Sequence, residues 1–211
     1  LDSFRREEMR AAQLARELPT IEAAVIQHCI SRLPDGSALF SSNSMCIRDL
    51  DSFSGSGSKA LHLVANRGAS GIDGNLSTLL GLAAGYQGPG IVAGLIGDLA
   101  FIHDMNGLLA ARDQNALIVL FNNGGGNIFS YLPQAGLAEF ERGWLTPTPI
   151  DFAKVAAIHG IGHRRITSAE QFPAAMNDAL QRTGSNLIEV AIDGRESLAA
   201  HQRYWDRVSA E

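Results

Sequence analysis

Residues 90–126 read GIVAGLIGDLAFIHDMNGLLAARDQNALIVLFNNGGG, and this stretch decides the fold. The apolar runs 90–96 and 116–121 predict two buried strands, and the segment 99–114 between them predicts a helix. A strand, a crossover helix and a second strand form a parallel unit, and right-handed crossovers place such strands side by side or nearly so. The carboxyl ends of the two strands are therefore expected at one edge of a sheet.

Polar residues follow both of these strands. Asp98 comes directly after the first strand, and Asn123 begins the glycine loop after the second. A carboxylate, an amide oxygen and a loop carbonyl facing one point suit Mg²⁺, which prefers oxygen ligands and usually shares its shell with phosphates. Alone, Asp98 would be read as a helix cap and the 122–126 loop as a turn. Their pairing at this spacing favours a diphosphate cofactor held through a divalent cation.

The rest of the chain alternates between helical and extended patterns on either side of this unit. Helices are predicted at 3–18, 20–32 with Thr20 as N-cap, 74–86, 151–159, and after a capping box formed by Ser168 and Gln171. Strands are predicted at 38–41, 61–65, 164–166 and 187–192. This order predicts an α/β fold with a doubly wound, mostly parallel sheet flanked by helices. We expect a single domain over 1–211, with leading helices at 1–36 and the core at 37–211.

Composition narrows the classes of function. The chain has 211 residues, 45% of them hydrophobic, which is enough for a sizeable core. Its 17 basic and 22 acidic residues give a net charge of -5, so no broad basic surface for nucleic acid or anionic lipid is expected. Neither a membrane span nor a signal-peptide pattern is present. Cys29 and Cys46 form no CxxC motif, so a reducing cytoplasm is the expected location.

Several motifs carry a resemblance to a known family. The segment from Gly97-Asp98 to Asn122-Asn123 resembles the thiamin diphosphate signature. Within that superfamily, four segments are similar to the MenD family, the 2-succinyl-5-enolpyruvyl-6-hydroxy-3-cyclohexene-1-carboxylate synthases. These segments are NSMCIRD at 43–49, NRGASGIDGNLST at 66–78, HDMNGLL at 103–109 and GGGNIFSYLPQ at 124–134. The similarity covers only the carboxyl-terminal, diphosphate-binding (PP) domain of the family, so we expect a fragment of a three-domain enzyme.

The resemblance implies roles for individual residues. The metal, Mg²⁺ or Mn²⁺, would be held by Asp98, Asn123 and the Gly125 carbonyl. Thiamin diphosphate would contact Ser70, Ile72, Gly97, Asp98, Leu99, Asn123, Gly125, Gly126, Asn127 and Ile128, with Ile72 as the apolar wedge that bends the cofactor. Substrate would contact Ser44, Arg48, Arg67, Phe129 and Leu132. Arginine suits such positions because its planar fork binds carboxylates in a bidentate way.

The resemblance also implies a reaction and its partners. The family joins decarboxylated 2-oxoglutarate to isochorismate in menaquinone biosynthesis. Its activating glutamate lies in an amino-terminal domain, and no Glu in this sequence matches it. We therefore expect no catalytic residue in this chain and no turnover by the chain alone. A homodimer or homotetramer is expected for the full-length protein.

Two other readings stay open at this point. One keeps the cofactor and changes the reaction, as in an acetolactate-synthase-like or 2-oxoacid decarboxylase enzyme; Arg48 and Arg67 favour a larger, dianionic substrate. The other is a noncatalytic diphosphate-binding module that uses the same sheet edge. A Rossmann dinucleotide domain is disfavoured because no GxGxxG sequence lies at the first strand-helix turn.

Overall fold

A computed structural model describes residues 2–210, with side chains from residue 4 onward. Its centre is one sheet of six strands in the order β2-β1-β3-β4-β6-β5, and every neighbouring pair is parallel. The strands are β1 (Ala38–Ser41), β2 (His62–Ala65), β3 (Val92–Gly97), β4 (Ala116–Asn122), β5 (Gly162–Ile166) and β6 (Asn186–Ala191). The predicted α/β fold with a parallel sheet is confirmed.

Helices cover both faces of this sheet. They are α1 (Asp2–Glu17), α2 (Ile21–Arg32), α3 (Met45–Phe53), α4 (Asn75–Gly85), α5 (Asp98–His103), α6 (Phe152–His159), α7 (Phe172–Gln181) and α8 (Gly194–Ser209). Short 3-10 turns lie at Met105–Asp113, Asn127–Tyr131, Pro133–Gly136 and Ala169–Gln171, and a π-helical turn lies at Glu141–Leu145. Among residues 2–210, no helix combines the length and the apolar character that crossing a membrane requires.

The central strands read as unbroken apolar runs because both of their faces are buried. Along β4, Leu117 and Val119 join the apolar cluster on one face, and Ile118 and Leu120 join the cluster on the other. Side chains that alternate across a pleated strand produce this split. Two helix layers over a parallel sheet leave the carboxyl ends of the strands as the open edge, where a ligand can enter.

The crossover between β3 and β4 differs from its prediction. The predicted continuous helix over 99–114 is wrong, since α5 ends at His103 and a 3-10 turn follows. Asp104 leaves the helix to accept hydrogen bonds from the backbone N–H (2.7 Å) and hydroxyl (2.9 Å) of Ser77 on α4. Gly107 lies so close to Ser77 that a Cβ would stand 2.7 Å from its hydroxyl oxygen. Contact with α4 therefore overrides local helix propensity.

Helix termini give a mixed result. Thr20 accepts the Ala23 N–H at 2.9 Å, which confirms it as the N-cap of α2. The capping box is wrong, because a 3-10 turn precedes α7, Ser168 makes no side-chain cap and Gln171 instead accepts the Thr167 N–H. Helix α8 was not predicted, although Asp193 caps it through two N–H groups.

Candidate functional site at the carboxyl edge of the sheet

Asp98 lies at the centre of this edge, where β3 and β4 end side by side. Its Oδ2 accepts the N–H groups of Gly124 and Gly125, each at 2.8 Å, and its Oδ1 accepts the Leu99 N–H at 2.7 Å. The two loops that the sequence brings to one edge therefore meet through this carboxylate. Since a carboxylate offers about four lone-pair sites, Asp98 keeps acceptor capacity for a further ligand.

The Asp98 carboxylate lacks a counter-charge. It is buried, and none of the ion pairs formed among residues 4–210 includes it. Burial raises the pKa of Asp98 to about 6, against the opposing effect of the backbone N–H groups of Leu99, Gly125, Gly124 and Asn123. A buried anion with donors on one side and no cation on the other fits a bound divalent ion.

A divalent cation bound through the Asp98 carboxylate would bind in a pH-dependent way. Because the pKa of Asp98 is raised in the folded state, the ligand-free protein loses stability as pH rises from about 4 to about 6, the window between the usual and the raised pKa. A cation selects the ionised form, so its binding should strengthen over the same window. We expect Mg²⁺ affinity to be about tenfold weaker at pH 5 than at pH 7.5. Calorimetric titration with Mg²⁺ and thiamin diphosphate at both pH values checks this, and equal affinities would contradict it.

The glycine loop, residues 122–126, supplies the other oxygens that could bind a cation beside Asp98. The amide oxygen and the backbone carbonyl of Asn123 both accept the Asn127 side-chain amide, at 3.1 and 2.7 Å. The Gly125 carbonyl accepts the Asn127 N–H at 2.8 Å. These oxygens keep a second lone pair for a cation. Among the described side chains, no cluster of three or more His, Cys, Asp or Glu could hold a metal, so an ion here would rest on mixed carboxylate, amide and carbonyl oxygens.

Gly125 is required by the shape of the loop. Its φ of +137° is one that side chains rarely allow, and a Cβ would stand 2.2 Å from the Leu145 carbonyl oxygen. That carbonyl also accepts the Gly126 N–H at 2.7 Å. The π-helical turn that contains Leu145 therefore closes over the glycine loop and fixes its backbone.

A cavity of about 590 Å³ opens at this edge and gathers nearly all of the predicted site residues. Its lining includes Ser44, Arg48, Arg67, Ser70, Ile72, Gly97, Asp98, Leu99, Asn123, Gly125, Gly126, Asn127, Ile128 and Phe129. The exception is Leu132, which is outside the lining and 44% exposed. Leu132 follows the 3-10 turn after the glycine loop, so the chain has already left the cavity at that point.

Two arginines face the cavity from neighbouring strand ends. Arg48 lies on α3 after β1, is exposed, and donates to the Ser44 carbonyl at 2.7 Å. Arg67 follows β2 and donates to the Asn43 amide oxygen at 3.1 Å. Neither forms an ion pair within residues 4–210. Their guanidinium groups therefore keep donors for an anionic ligand.

Ser44 has a strained backbone. Its φ of 66° and ψ of -132° lie outside the regions that non-glycine residues favour. Glycine would adopt these angles readily, but the residue at this position, just before α3, is a serine. Such strain costs on the order of 1–3 kcal/mol and clusters at functional sites.

Replacing Ser44 by glycine should separate stability from binding. Gly adopts a positive φ without strain, so we expect Ser44→Gly to raise the free energy of unfolding by about 1 kcal/mol. The same change removes a hydroxyl from the cavity wall and should weaken the binding of a ligand that contacts this hydroxyl. Thermal unfolding and a ligand titration measure the two effects, with Ser42→Gly as control: Ser42 is buried, has no positive φ and accepts the Gly97 N–H at 3.3 Å, so the same change there should lower stability. A lower melting temperature for Ser44→Gly would contradict the strain argument.

Apolar side chains form another part of the wall. Ile72 is 39% exposed although it is a large aliphatic residue. Ile128 and Phe129 are half-buried in the 3-10 turn that follows the glycine loop. Ile72 lines the cavity, so its exposed part is available for contact with an apolar part of a ligand.

Some lining residues were missed by sequence reasoning. The Asn43 amide donates to the Gly71 carbonyl at 2.7 Å while it accepts Arg67, so it ties the 70–72 loop to β1. Trp144, in the π-helical turn, and Thr146, directly after it, also line the cavity. Asn43 follows a predicted strand, which is a usable signal, whereas nothing in 141–146 indicates that this segment returns to the glycine loop.

Comparison with known proteins places the chain in a family. Residues 56–190 match the family described as "Thiamine pyrophosphate enzyme, C-terminal TPP binding domain". The matched region contains Arg67, Asp98 and the whole glycine loop. This match, together with the named relatives below, confirms the resemblance drawn from the motifs.

The chain is also similar to named 2-succinyl-5-enolpyruvyl-6-hydroxy-3-cyclohexene-1-carboxylate synthases. It is 37% identical to that of Lysinibacillus sphaericus (strain C3-41), over 100% of this chain and 38% of the relative. It is 45% identical to that of Chloroflexus aurantiacus (strain ATCC 29366 / DSM 635 / J-10-fl), over 85% of this chain and 30% of the relative. The chain therefore spans about a third of the length of the curated relatives it matches.

Solved structures support the fold. One is a thiamin diphosphate-dependent enzyme from Mycobacterium smegmatis, with a TM-score of 0.64 and 22% identity over 80% of this chain and 31% of the other. Another is the benzoylformate decarboxylase from Polynucleobacter necessarius, with a TM-score of 0.65 and 20% identity over 82% of this chain and 33% of the other. At these identities the likeness concerns the fold alone.

Proposed function

Because this chain belongs to the thiamine pyrophosphate enzyme family, matching its C-terminal TPP binding domain, we propose that it binds thiamin diphosphate through Mg²⁺ or Mn²⁺ at the carboxyl edge of its sheet. We propose further that it is this domain of a 2-succinyl-5-enolpyruvyl-6-hydroxy-3-cyclohexene-1-carboxylate synthase. The relatives of that name at 37% and 45% identity support the second step. The observation that carries the first is the buried Asp98 carboxylate, which ties both strand-end loops together without a counter-charge.

The proposed cofactor site uses different parts of the chain for different tasks. Asp98, Asn123 and the Gly125 carbonyl would hold the cation. Near the start of the 3-10 turn at Asn127–Tyr131, the N–H groups of Gly126, Asn127 and Phe129 donate to backbone carbonyls, so the Ile128 N–H would be the amide that meets the diphosphate. Ser70 and Ile72 at the mouth would meet the aminopyrimidine end. When bound, thiamin diphosphate supplies the electron sink that decarboxylation of a 2-oxoacid needs.

The proposed substrates are 2-oxoglutarate and isochorismate, both of which carry carboxylates. Arg48 and Arg67 face the cavity from two strand ends and would each bind a carboxylate in a bidentate way. Ser44 would add a hydroxyl, and Ile128 and Phe129 would cover the reacting region and exclude water from it. Leu132, which resemblance assigns to the same wall, would have to move inward to contact the substrate.

The activity of the whole enzyme is a further proposal. The chain spans about a third of its relatives, and no Glu in it matches the activating glutamate of the family. We therefore propose that turnover needs a glutamate supplied from outside this sequence, and that the enzyme works as a homodimer or homotetramer. Cys29 and Cys46 are free and buried, which suits a cytoplasmic location.

Two measurements test the function. Calorimetry of the chain with thiamin diphosphate, NAD and ATP, each with Mg²⁺, should give binding for thiamin diphosphate alone, and preference for NAD or ATP would refute the cofactor. With the full-length gene product, 2-oxoglutarate and isochorismate should be turned over and pyruvate should not. Efficient use of pyruvate would instead support an acetolactate-synthase-like or 2-oxoacid decarboxylase activity.

A further inference from the structure

Three ionisable side chains from three different helices meet at the inner wall of the cavity, which Glu22 and Asp49 help to line. Glu22 lies on α2, Asp49 on α3 and His201 on α8, and all three are buried, with His201 only 1% exposed. We call this group, together with Ser197, the buried carboxylate–imidazole network. The proposed function assigns these residues no role.

Hydrogen bonds link the network into one chain. His201 Nε2 lies 3.0 Å from Asp49 Oδ1, and His201 Nδ1 lies 2.8 Å from the Ser197 carbonyl oxygen. The Ser197 hydroxyl donates to Glu22 Oε1. The helices that carry the network are far apart in sequence, so these bonds fix α2, α3 and α8 against one another.

The contacts define where the protons are. A carbonyl oxygen only accepts, so Nδ1 of His201 must carry a hydrogen. Between Nε2 and Asp49 there is one proton, held either by the ring or by the carboxyl. Burial raises the pKa of Asp49 to about 6, and although burial alone would lower the pKa of His201, the hydrogen bond and charge of Asp49 raise it.

The network contacts both sides of the proposed site. Asp49 directly follows Arg48 on α3, and Glu22, Arg48 and Asp49 all contribute to the cavity lining. On the other side, the Tyr131 ring packs edge-on against His201, with ring centroids 6.2 Å apart. Tyr131 ends the 3-10 turn that begins after the glycine loop. The start of α3 and this turn thus rest on the same imidazole.

Stability alone is a weak reason for such a network. Removing carboxylates from water is costly, and well-packed apolar residues of similar volume are often as good or better for stability. Glu22 Oε2 is buried with no hydrogen-bond partner among the described residues, which adds to this cost. Groups of this kind at a cavity wall are better explained by the precision that they give to neighbouring residues of the site.

We propose that Asp49, His201 and Glu22 are positioning residues that hold Arg48 at the angle needed to bind the carboxylate of the substrate. This inference rests on the proposed function, because it assigns Arg48 an anionic substrate. The network is hydrogen-bonded to α3, which carries Arg48, whereas Asp98 holds Gly124 and Gly125 of the glycine loop through its own hydrogen bonds. Disrupting it should therefore affect substrate binding more than cofactor binding.

The test uses His201→Asn in the full-length gene product. We expect KM for 2-oxoglutarate to rise about tenfold or more, since small misplacement of a positioning group costs up to about 100-fold, while kcat and the Kd of thiamin diphosphate change less than about threefold. His163→Asn is the matched control: His163 also pairs with a buried carboxylate, Glu189, at 2.9 Å, but on β5 at the far edge of the sheet. It should lower stability and leave KM unchanged.

A double mutant separates positioning from general damage. If the network acts through Arg48, adding His201→Asn to Arg48→Ala should raise KM no further. An additive rise, an unchanged KM in a folded His201→Asn protein, or an equal rise in the His163 control would overturn the proposal. If His201→Asn does not fold, Asp49→Asn takes its place with the same criteria.

A spectroscopic readout does not depend on turnover. In ¹⁵N NMR of the wild-type chain at about pH 6, His201 should carry a proton on Nδ1, which faces the Ser197 carbonyl. A bare Nδ1 at that pH would overturn the network even if the enzyme is active. Conversely, a protonated Nδ1 in a protein that does not bind thiamin diphosphate would refute the proposed function and leave the network intact.

Discussion

Asp98→Asn is expected to abolish Mg²⁺-dependent binding of thiamin diphosphate. The amide keeps the shape of the side chain and one acceptor oxygen for the loop N–H groups, but it removes the negative charge that we propose holds the cation. Even changes behind a metal ligand lower metal affinity about 10–100-fold, so the loss of a ligand charge should exceed about 100-fold. Calorimetric titration of thiamin diphosphate, with and without Mg²⁺, measures this.

Asp104→Asn is the control for that experiment. Asp104 lies on the same crossover and holds Ser77 of α4 through two hydrogen bonds, but it is not among the residues that line the cavity. It should lower stability and leave cofactor affinity within about threefold. Because burial disfavours the charged form of Asp98, Asp98→Asn should also not unfold the protein. Unchanged Mg²⁺-dependent affinity in Asp98→Asn would contradict the proposed metal site.

Arg48→Ala should have the second-largest effect of the changes considered, through weaker binding of the substrate. Hydrogen bonds to charged groups contribute roughly 1.5–3 kcal/mol, and a bidentate guanidinium–carboxylate pair stands at the upper end of that range. We expect KM for 2-oxoglutarate to rise about 100-fold in the full-length gene product. Arg48 is exposed in this chain, so the change should have little effect on the melting temperature.

Two further variants make the test of Arg48 specific. Arg48→Lys keeps the charge but loses the planar fork, so its KM should lie between those of the wild type and Arg48→Ala. Arg112→Ala removes an exposed arginine that precedes β4 and so lies near the amino ends of the strands, away from the carboxyl ends that form the cavity. This change should leave KM unchanged. Equal KM values for Arg48→Ala and the wild type would show that this arginine does not bind substrate.

The sequence predicts the fold well wherever burial on both faces sets the pattern. The apolar runs of β3 and β4, and the polar and glycine residues that follow each run, locate the central parallel unit. Thr20 marks the start of α2 correctly. The errors lie where contacts with other residues, and not the local sequence pattern, determine where a helix begins or ends. Asp104 breaks the crossover because it binds Ser77, and Gln171 caps Thr167 because a 3-10 turn intervenes before α7.

In the candidate site too, the residues that follow strand ends could be predicted from the sequence, and those that depend on distant contacts could not. Asp98, Asn123 and Gly125 follow strand ends, so parallel topology alone brings them together at one edge. Glu22 and His201 were not found because each lies on a helix whose amphipathic pattern gives no sign that it reaches the cavity wall. The missed α8 had a signal in Asp193, which caps it, and in the spacing of Leu198, His201 and Trp205.

One measurement tests the cation-bridged cofactor site most directly. A crystal structure of the chain with thiamin diphosphate and Mn²⁺ should show an anomalous scattering peak about 2.0–2.3 Å from oxygens of Asp98 and Asn123 and from the Gly125 carbonyl. The diphosphate should occupy the remaining positions around that ion. A peak elsewhere, or a cofactor bound away from the ends of β3 and β4, would contradict the assignment of this edge as the site.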